Sequence, residues 1–232
     1  MRNAARFLPL ALAFLGAGIA APALAQSGGW YAGLAGGQSR TDRDIVRTRE
    51  ETLLSAPVVQ SDFDATGDAW KAFAGYRFTP YVAVEAAYAD LGRDRMSSFI
   101  PGNVSQLPAA FTIDRRVEAY GADVVGTLPI GPRFALLARA GAYRAHVRSD
   151  VVLDGNIVFA DDATARARRI TDNRTIAHYG VGGEWRFARR MALRLEWERF
   201  ADAGSPFAVG QSGRTGRADT DAVTLGVVFD LR

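Results

Sequence analysis

The closing stretch, Thr224-Leu225-Gly226-Val227-Val228-Phe229-Asp230-Leu231-Arg232, decides how the chain can fold. Leu225, Val227, Phe229 and Leu231 fall on alternate positions, with Thr224, Gly226, Val228 and Asp230 between them. Side chains alternate between the two faces of a β-strand, so one face is wholly apolar and the other mostly small or polar. An apolar edge carried to the end of a chain is a template for aggregation. Two architectures remove that edge. The strand is either the buried last strand of a soluble sandwich or the one that closes a barrel in a bilayer.

The other end of the chain favours the second. Arg2 and Arg6 supply positive charge, residues 7–21 are almost all apolar, and Ala23-Leu24-Ala25 offers small residues where a signal peptidase reads. This pattern predicts a signal peptide over residues 1–25, cleaved after Ala25. The alternative, a membrane anchor, fits less well, because the run is short and broken by Pro9, Gly16 and Gly18. Later apolar runs are all cut by charge or glycine well short of the ~20 residues a membrane-crossing helix needs. The chain has no cysteine, so disulfide and thiol chemistry are excluded. Its formal charge is +3, and two arginines leave with the signal, which is too balanced to suggest nucleic acid as a partner. Lys71 is the single lysine and reads as a bias toward arginine rather than as chemistry.

Outward from these ends, alternation recurs. Strands are expected over residues 29–38, 68–78, 81–91, 116–128, 133–146, 174–187, 191–200 and 222–232. Trp30 and Tyr31 stand at the start of the first, where amphipathic rings suit a membrane interface. Thr79-Pro80, Pro129-Ile130-Gly131-Pro132 and Ala188-Arg189-Arg190 make three tight turns. The intervening stretches, 41–67, 92–114, 147–173 and 201–219, read as four long polar loops. Short turns at one end and long loops at the other are the mark of a bilayer barrel. The expected fold class is therefore all-β. Residues 26–232 form an eight-stranded antiparallel up-and-down transmembrane β-barrel, preceded by the cleaved signal peptide.

An eight-stranded barrel is just wide enough for side chains to fill it. The inward positions carry Glu85, Asp123, Arg139, Glu184, Arg194 and Glu196. Buried charge must be paired, so a salt-bridged and mostly plugged lumen is expected. Arg194 with Glu85, and Arg139 with Glu184 or Glu196, are the candidate pairs. The alternative is a gated, small conductance.

Several segments carry a family likeness. Gly75-Tyr76-Arg77-Phe78-Thr79-Pro80-Tyr81-Val82, followed by Glu85, Tyr88 and Asp90-Leu91-Gly92, resembles the second and third strands of the OmpA-type outer-membrane barrel. Arg194-Leu195-Glu196-Trp197 resembles its seventh strand, and Leu225-Gly226-Val227 with Phe229 its eighth. The resemblance implies an eight-stranded outer-membrane barrel whose interior ion-pair residues fall on Glu85, Glu184, Arg194 and Arg139. The family's interior lysine falls near Val125, so that part of the network is altered. The last strand also resembles the signal read by the outer-membrane insertion machinery, through Thr224, Gly226, Phe229 and Leu231. Its usual final aromatic is replaced by Leu231-Arg232. The family's cell-wall-binding domain has no counterpart, so no tether is expected, and the chain is similar to barrel-only opacity and surface-antigen relatives.

Catalytic constellations are absent from the sequence. His146 and His178 are the only histidines, and with scattered Ser149 and aspartates they make no triad. Asp161-Asp162 lacks the alternating oxygen ligands of a calcium loop. No metal site, no cofactor and no enzyme activity are expected. The reading is an outer-membrane protein with a structural or surface role, a polar lumen and long extracellular loops. Outer-membrane lipids, lipopolysaccharide and the insertion machinery are the expected partners. The alternatives are an adhesin or receptor that binds a ligand through its loops, and a small, low-conductance porin.

Overall fold

The computed structural model describes residues 28–41, 60–64, 66–100, 108–155, 164–203 and 218–231. The expected signal peptide lies outside them. The strands are β1 (Gly29–Thr41), β2 (Gln60–Asp64), β3 (Thr66–Arg77), β4 (Val82–Ile100), β5 (Ala109–Pro129), β6 (Phe134–Gly155), β7 (Ala167–Ala188), β8 (Met191–Ala203) and β9 (Ala218–Leu231). β2 continues the line of β3, since both pair antiparallel with β4, at Gln60↔Phe99 and Trp70↔Asp90 respectively. The nine segments thus make eight staves. Pairing of β1 with β9 and of β4 with β5 closes the ring. Following the register once around returns to β1 about ten residues from the start, which for eight strands requires a tilt of roughly 40°.

The outward faces define the bilayer. On β6, Phe134, Leu136, Ala138, Ala140 and Ala142 point out, and then the outward positions become Arg144, His146, Arg148 and Asp150. That apolar run matches the ~9–11 residues a tilted strand needs to cross. Two aromatic belts bound it. The lower contains Trp30–Tyr76, Tyr76–Phe78, Phe134–Trp185 and Trp185–Phe187, with ring centroids 5.2, 5.1, 6.2 and 6.1 Å apart. The upper contains Trp70–Tyr88 and Tyr179–Trp197, at 5.4 and 6.4 Å. Amphipathic rings settle where hydrocarbon meets headgroup. Trp30 is 61% exposed and joins the belt, but Tyr31 is 1% exposed and points into the lumen, contrary to the expected interfacial role. Successive residues of a strand cannot share a face.

The strands run well past the expected boundaries. Much of the expected loop sequence over 92–114 and 147–173 is paired strand in β4, β5, β6 and β7, and β2 lies within 41–67. The reason is a change of phase. Above Tyr143, the inward positions of β6 are Ala145, Val147, Ser149, Val151 and Leu153, all buried, and the outward ones include Arg144, Arg148, Asp150 and Asp154. Below it, the apolar residues face out. The hydrophobic pattern inverts where water replaces lipid, while the hydrogen-bonded ladder continues unbroken. Phe111 and Val117 of β5 join this upper, water-facing section's small core.

The three tight turns all lie at the other end, at residues 78–81, 130–133 and 189–190. A bulge interrupts the β4–β5 ladder between Asp90 and Arg93. There Gly92 adopts φ 77°, and its amide donates to Asp90 Oδ1 at 2.9 Å. A side-chain-bearing residue would be strained at that φ. Inside the barrel, a Cβ on Gly141 would collide with Ala122 O and Asp123 Oδ1. Replacing Gly141 by valine is expected to destabilise the folded barrel by about 1–3 kcal/mol or more, read from urea titration of its heat-modifiable gel migration.

Candidate functional site

The lumen is the site. Alternation turns one residue in two inward, and the chain fills those positions with large polar groups and small residues. Lys71 and Arg77 come from β3, Glu85 from β4, Asp123 from β5, Arg139 and Tyr143 from β6, His178 and Glu184 from β7, and Arg194, Glu196 and Glu198 from β8.

The network is continuous from the short-turn end upward. Arg77 donates to Asp230 Oδ1 at 2.6 Å and to Glu184 Oε1 at 3.4 Å. Arg194 bridges Glu184 Oε2 at 3.0 Å and Glu85 Oε2 at 2.7 Å. Tyr31 OH also donates to Glu85, at 3.0 Å, and its ring lies 4.5 Å beneath the Arg77 guanidinium. Arg139 donates to Glu85 Oε1 at 2.8 Å and to Glu196 Oε1, and reaches Glu198 at 3.2 Å and Asp123 at 3.5 Å. Lys71 Nζ is 2.7 Å from Glu196 and 2.8 Å from Glu198.

Aromatic rings close the top of this cluster. His178 Nδ1 lies 2.8 Å from Asp123 Oδ1, and Tyr143 OH donates to Asp123 Oδ2 at 2.8 Å. The His178 ring packs 4.3 Å from that of Tyr143 and 4.5 Å from that of Phe200. Higher still, Arg115 donates to Asp94 at 3.0 Å and to Thr41 Oγ1 at 2.6 Å, and Ser39 Oγ donates to Leu91 O. Charged hydrogen bonds are the strong ones, and desolvation makes leaving any of them unpaired expensive.

All six residues singled out from the sequence, Glu85, Asp123, Arg139, Glu184, Arg194 and Glu196, lie buried in this network. Arg194 meets Glu85, and Arg139 meets Glu196; Glu184 receives Arg194 and Arg77 rather than Arg139. Sequence reasoning missed Lys71, Glu198, Tyr31 and Tyr143. Lys71 is 2% exposed and shared by two glutamates, so its reading as mere composition is corrected. Its signal was available: Lys71 shares a face of β3 with Phe73, Gly75 and Arg77, opposite the belt residues Trp70 and Tyr76. Val125 is a buried apolar wall residue, and the lumen's ammonium comes from β3 instead.

On β9, Thr224 and Gly226 face inward and Phe229 and Leu231 face lipid. His146 and Ser149 point to opposite faces of β6, which separates them as a catalytic pair. His146 Nδ1 instead lies 2.5 Å from Asn173 Oδ1. No cluster suited to a metal is present among the described residues. Outside the bilayer, Arg169 donates to Asp150 at 2.6 Å and holds its carboxyl below the usual aspartate range.

A sequence model of the outer membrane protein beta-barrel domain matches residues 10–230. The chain belongs to that family. This outer-membrane β-barrel is also similar to solved structures. Ail, the attachment invasion locus protein of Yersinia pestis, is 13% identical, with 88% of this chain and 99% of that one covered and a TM-score of 0.50. Neisserial surface protein A is 11% identical over 89% of this chain and 100% of that one, with a TM-score of 0.49. OprG from Pseudomonas aeruginosa is 10% identical over 88% and 96%, with a TM-score of 0.46. No curated protein sequence matches the chain. The outer-membrane β-barrel thus resides in the outer membrane, with its short turns toward the periplasm.

Proposed function

We propose that the outer-membrane β-barrel is a non-enzymatic, non-conducting envelope protein. It acts as a scaffold whose paired wall carries charged surface beyond the outer leaflet. One observation carries the reading: ion pairs and hydrogen bonds link Asp230 and Arg77 to Glu184, Arg194, Glu85, Arg139, Glu198 and Lys71 without a break. Eight strands leave no spare width beside such a plug. His178 is enclosed by Asp123, Glu198, Tyr143 and Phe200, with no serine, threonine or cysteine among these contacts, and the Tyr143 hydroxyl is engaged by Asp123.

Purified protein in planar bilayers is therefore expected to show no unitary current in long recordings. Regular openings would establish the small porin instead. The second reading, contact with an extracellular partner, draws on the outward residues of β5 and β6 beyond the bilayer. Arg116, Glu118, Arg144, Arg148 and Asp150 project there from paired strand. Exchanging the long connections without changing surface phenotypes would remove that reading. Recognition of Thr224, Gly226, Phe229 and Leu231 by the insertion machinery belongs to the same proposal. Assembly kinetics of a Phe229→Ala variant test it.

A further inference from the structure

The periplasmic end carries charge that the lumen network leaves unused. Arg133 ends the turn between β5 and β6, and Arg189 and Arg190 form the turn between β7 and β8; all three are exposed. Among the described residues none of them meets a carboxylate. The acids at that end, Glu184 and Asp230, are engaged by Arg77, Arg186 and Arg194. The sector is compact: Arg186 N donates to Arg133 O at 2.8 Å, and Asp230 N donates to Arg190 O at 2.9 Å. The third short turn, Phe78 to Tyr81, carries no charged residue, so the cations mark one side of the rim only.

Farther up the wall from this end lies a hollow whose lining is mostly outward-facing and reaches from Tyr81 to Val223, with the inward-facing Leu137, Gly182 and Glu196 on its floor. A groove of about 960 Å³ is lined by Gly126, Leu128, Leu136, Ala138, Val181 and Gly183, among others. Leu136 lies three residues from Arg133, about 10 Å along the strand. Between groove and arginines sits the stacked Phe134–Trp185 pair of the lower belt, where acyl chains meet headgroups. Two glycines keep the groove open without being needed by the fold. A Cβ on Gly126 would come no closer than 3.7 Å to Ala138 O, and one on Gly183 no closer than 3.9 Å to Ala135 O. Glycine weakens a strand, so a position that has room for a side chain and lacks one marks close approach by something else.

We propose that this face binds an anionic glycerophospholipid of the periplasmic leaflet. Its phosphate would lie against Arg133, Arg189 and Arg190, and an acyl chain would run along the groove past Leu136. The charge is complementary, guanidinium groups match phosphate oxygens in geometry, and the Phe134–Trp185 pair stands where the chain would pass from headgroup to acyl region. The inference does not depend on whether the lumen conducts.

The test uses the full mature chain in phosphatidylcholine vesicles doped with spin-labelled phosphatidylglycerol or spin-labelled phosphatidylcholine. Electron paramagnetic resonance then gives the share of each label immobilised at the protein. Phosphatidylglycerol is expected to be enriched by roughly five-fold for each arginine engaged, and the enrichment to collapse in 1 M salt, where screening acts within ~3 Å. R133S/R189S/R190S is expected to bring the two labels to parity, while R133K/R189K/R190K retains most of the preference. G183V, which leaves every charge in place, is expected to lower immobilisation of phosphatidylglycerol by filling the groove. Equal immobilisation of both labels by the wild type overturns the proposal, as does a preference unchanged in the serine variant. A serine variant that keeps lipid selectivity but stops cosedimenting with purified cell-wall sacculi assigns the arginines to the cell wall instead. Should the serine variant not fold, the wild-type salt series and G183V decide alone.

Discussion

Arg139→Ala is expected to lower the unfolding free energy of the detergent-folded barrel by about 3–5 kcal/mol, the range for removing one partner from a buried ionic cluster. The residue is 1% exposed at its side chain and stands against four carboxylates, those of Glu85, Asp123, Glu196 and Glu198. Arg194 still holds Glu85 and Lys71 still holds Glu196 and Glu198, but Asp123 keeps only Tyr143 and His178. Uncompensated carboxylate charge is then confined in a narrow interior of low dielectric. Urea titration followed by heat-modifiable migration measures the loss. The exposed Arg169–Asp150 pair is the control, because solvent-facing ion pairs contribute little. A loss below ~1 kcal/mol at Arg139 would mean that water fills the lumen and screens these groups.

Lys71→Met is expected to destabilise on the same scale, about 3–5 kcal/mol, because it leaves Glu196 and Glu198 with Arg139 as their shared cation. The diagnostic result lies in the double variant. Lys71→Met combined with Glu198→Gln removes an acid along with its base, so part of the loss is expected to return. The coupling between the two positions is expected to exceed ~1 kcal/mol, the level typical of residues within one network. Independent, additive effects would show that Lys71 and Glu198 are not partners.

The fold was legible in the sequence because one physical rule, lipid outside and polar groups within, repeats along every stave. Leu225, Val227, Phe229 and Leu231 displayed it at the carboxyl end, and Phe134 to Ala142 repeated it on β6. Strand length was not legible from that rule. Beyond Ala142 the solvent changes, and Val147, Val151 and Leu153 carry the apolar phase on the inside. A search for outward-facing hydrophobics stops there, although a period of two persists. The interior acids and arginines could be named from parity alone. Their partners could not, because Lys71 reaches Glu196 and Glu198 from β3 across the bore, between staves that are not neighbours in the ring. Rarity in the composition disguised Lys71, and its place on the polar phase of β3 was the better guide.

The strand lengths give the molecule a compass bearing. β5, β6 and β7 run 21 or 22 residues, whereas β1, β8 and β9 run 13 or 14. At the tilt of the staves this difference lifts one flank of the rim by roughly 20 Å. Among the described residues, the paired wall therefore rises like a windbreak on one flank and is lower on the other. Charged paired wall among the described residues is offered to the surroundings chiefly from that quarter.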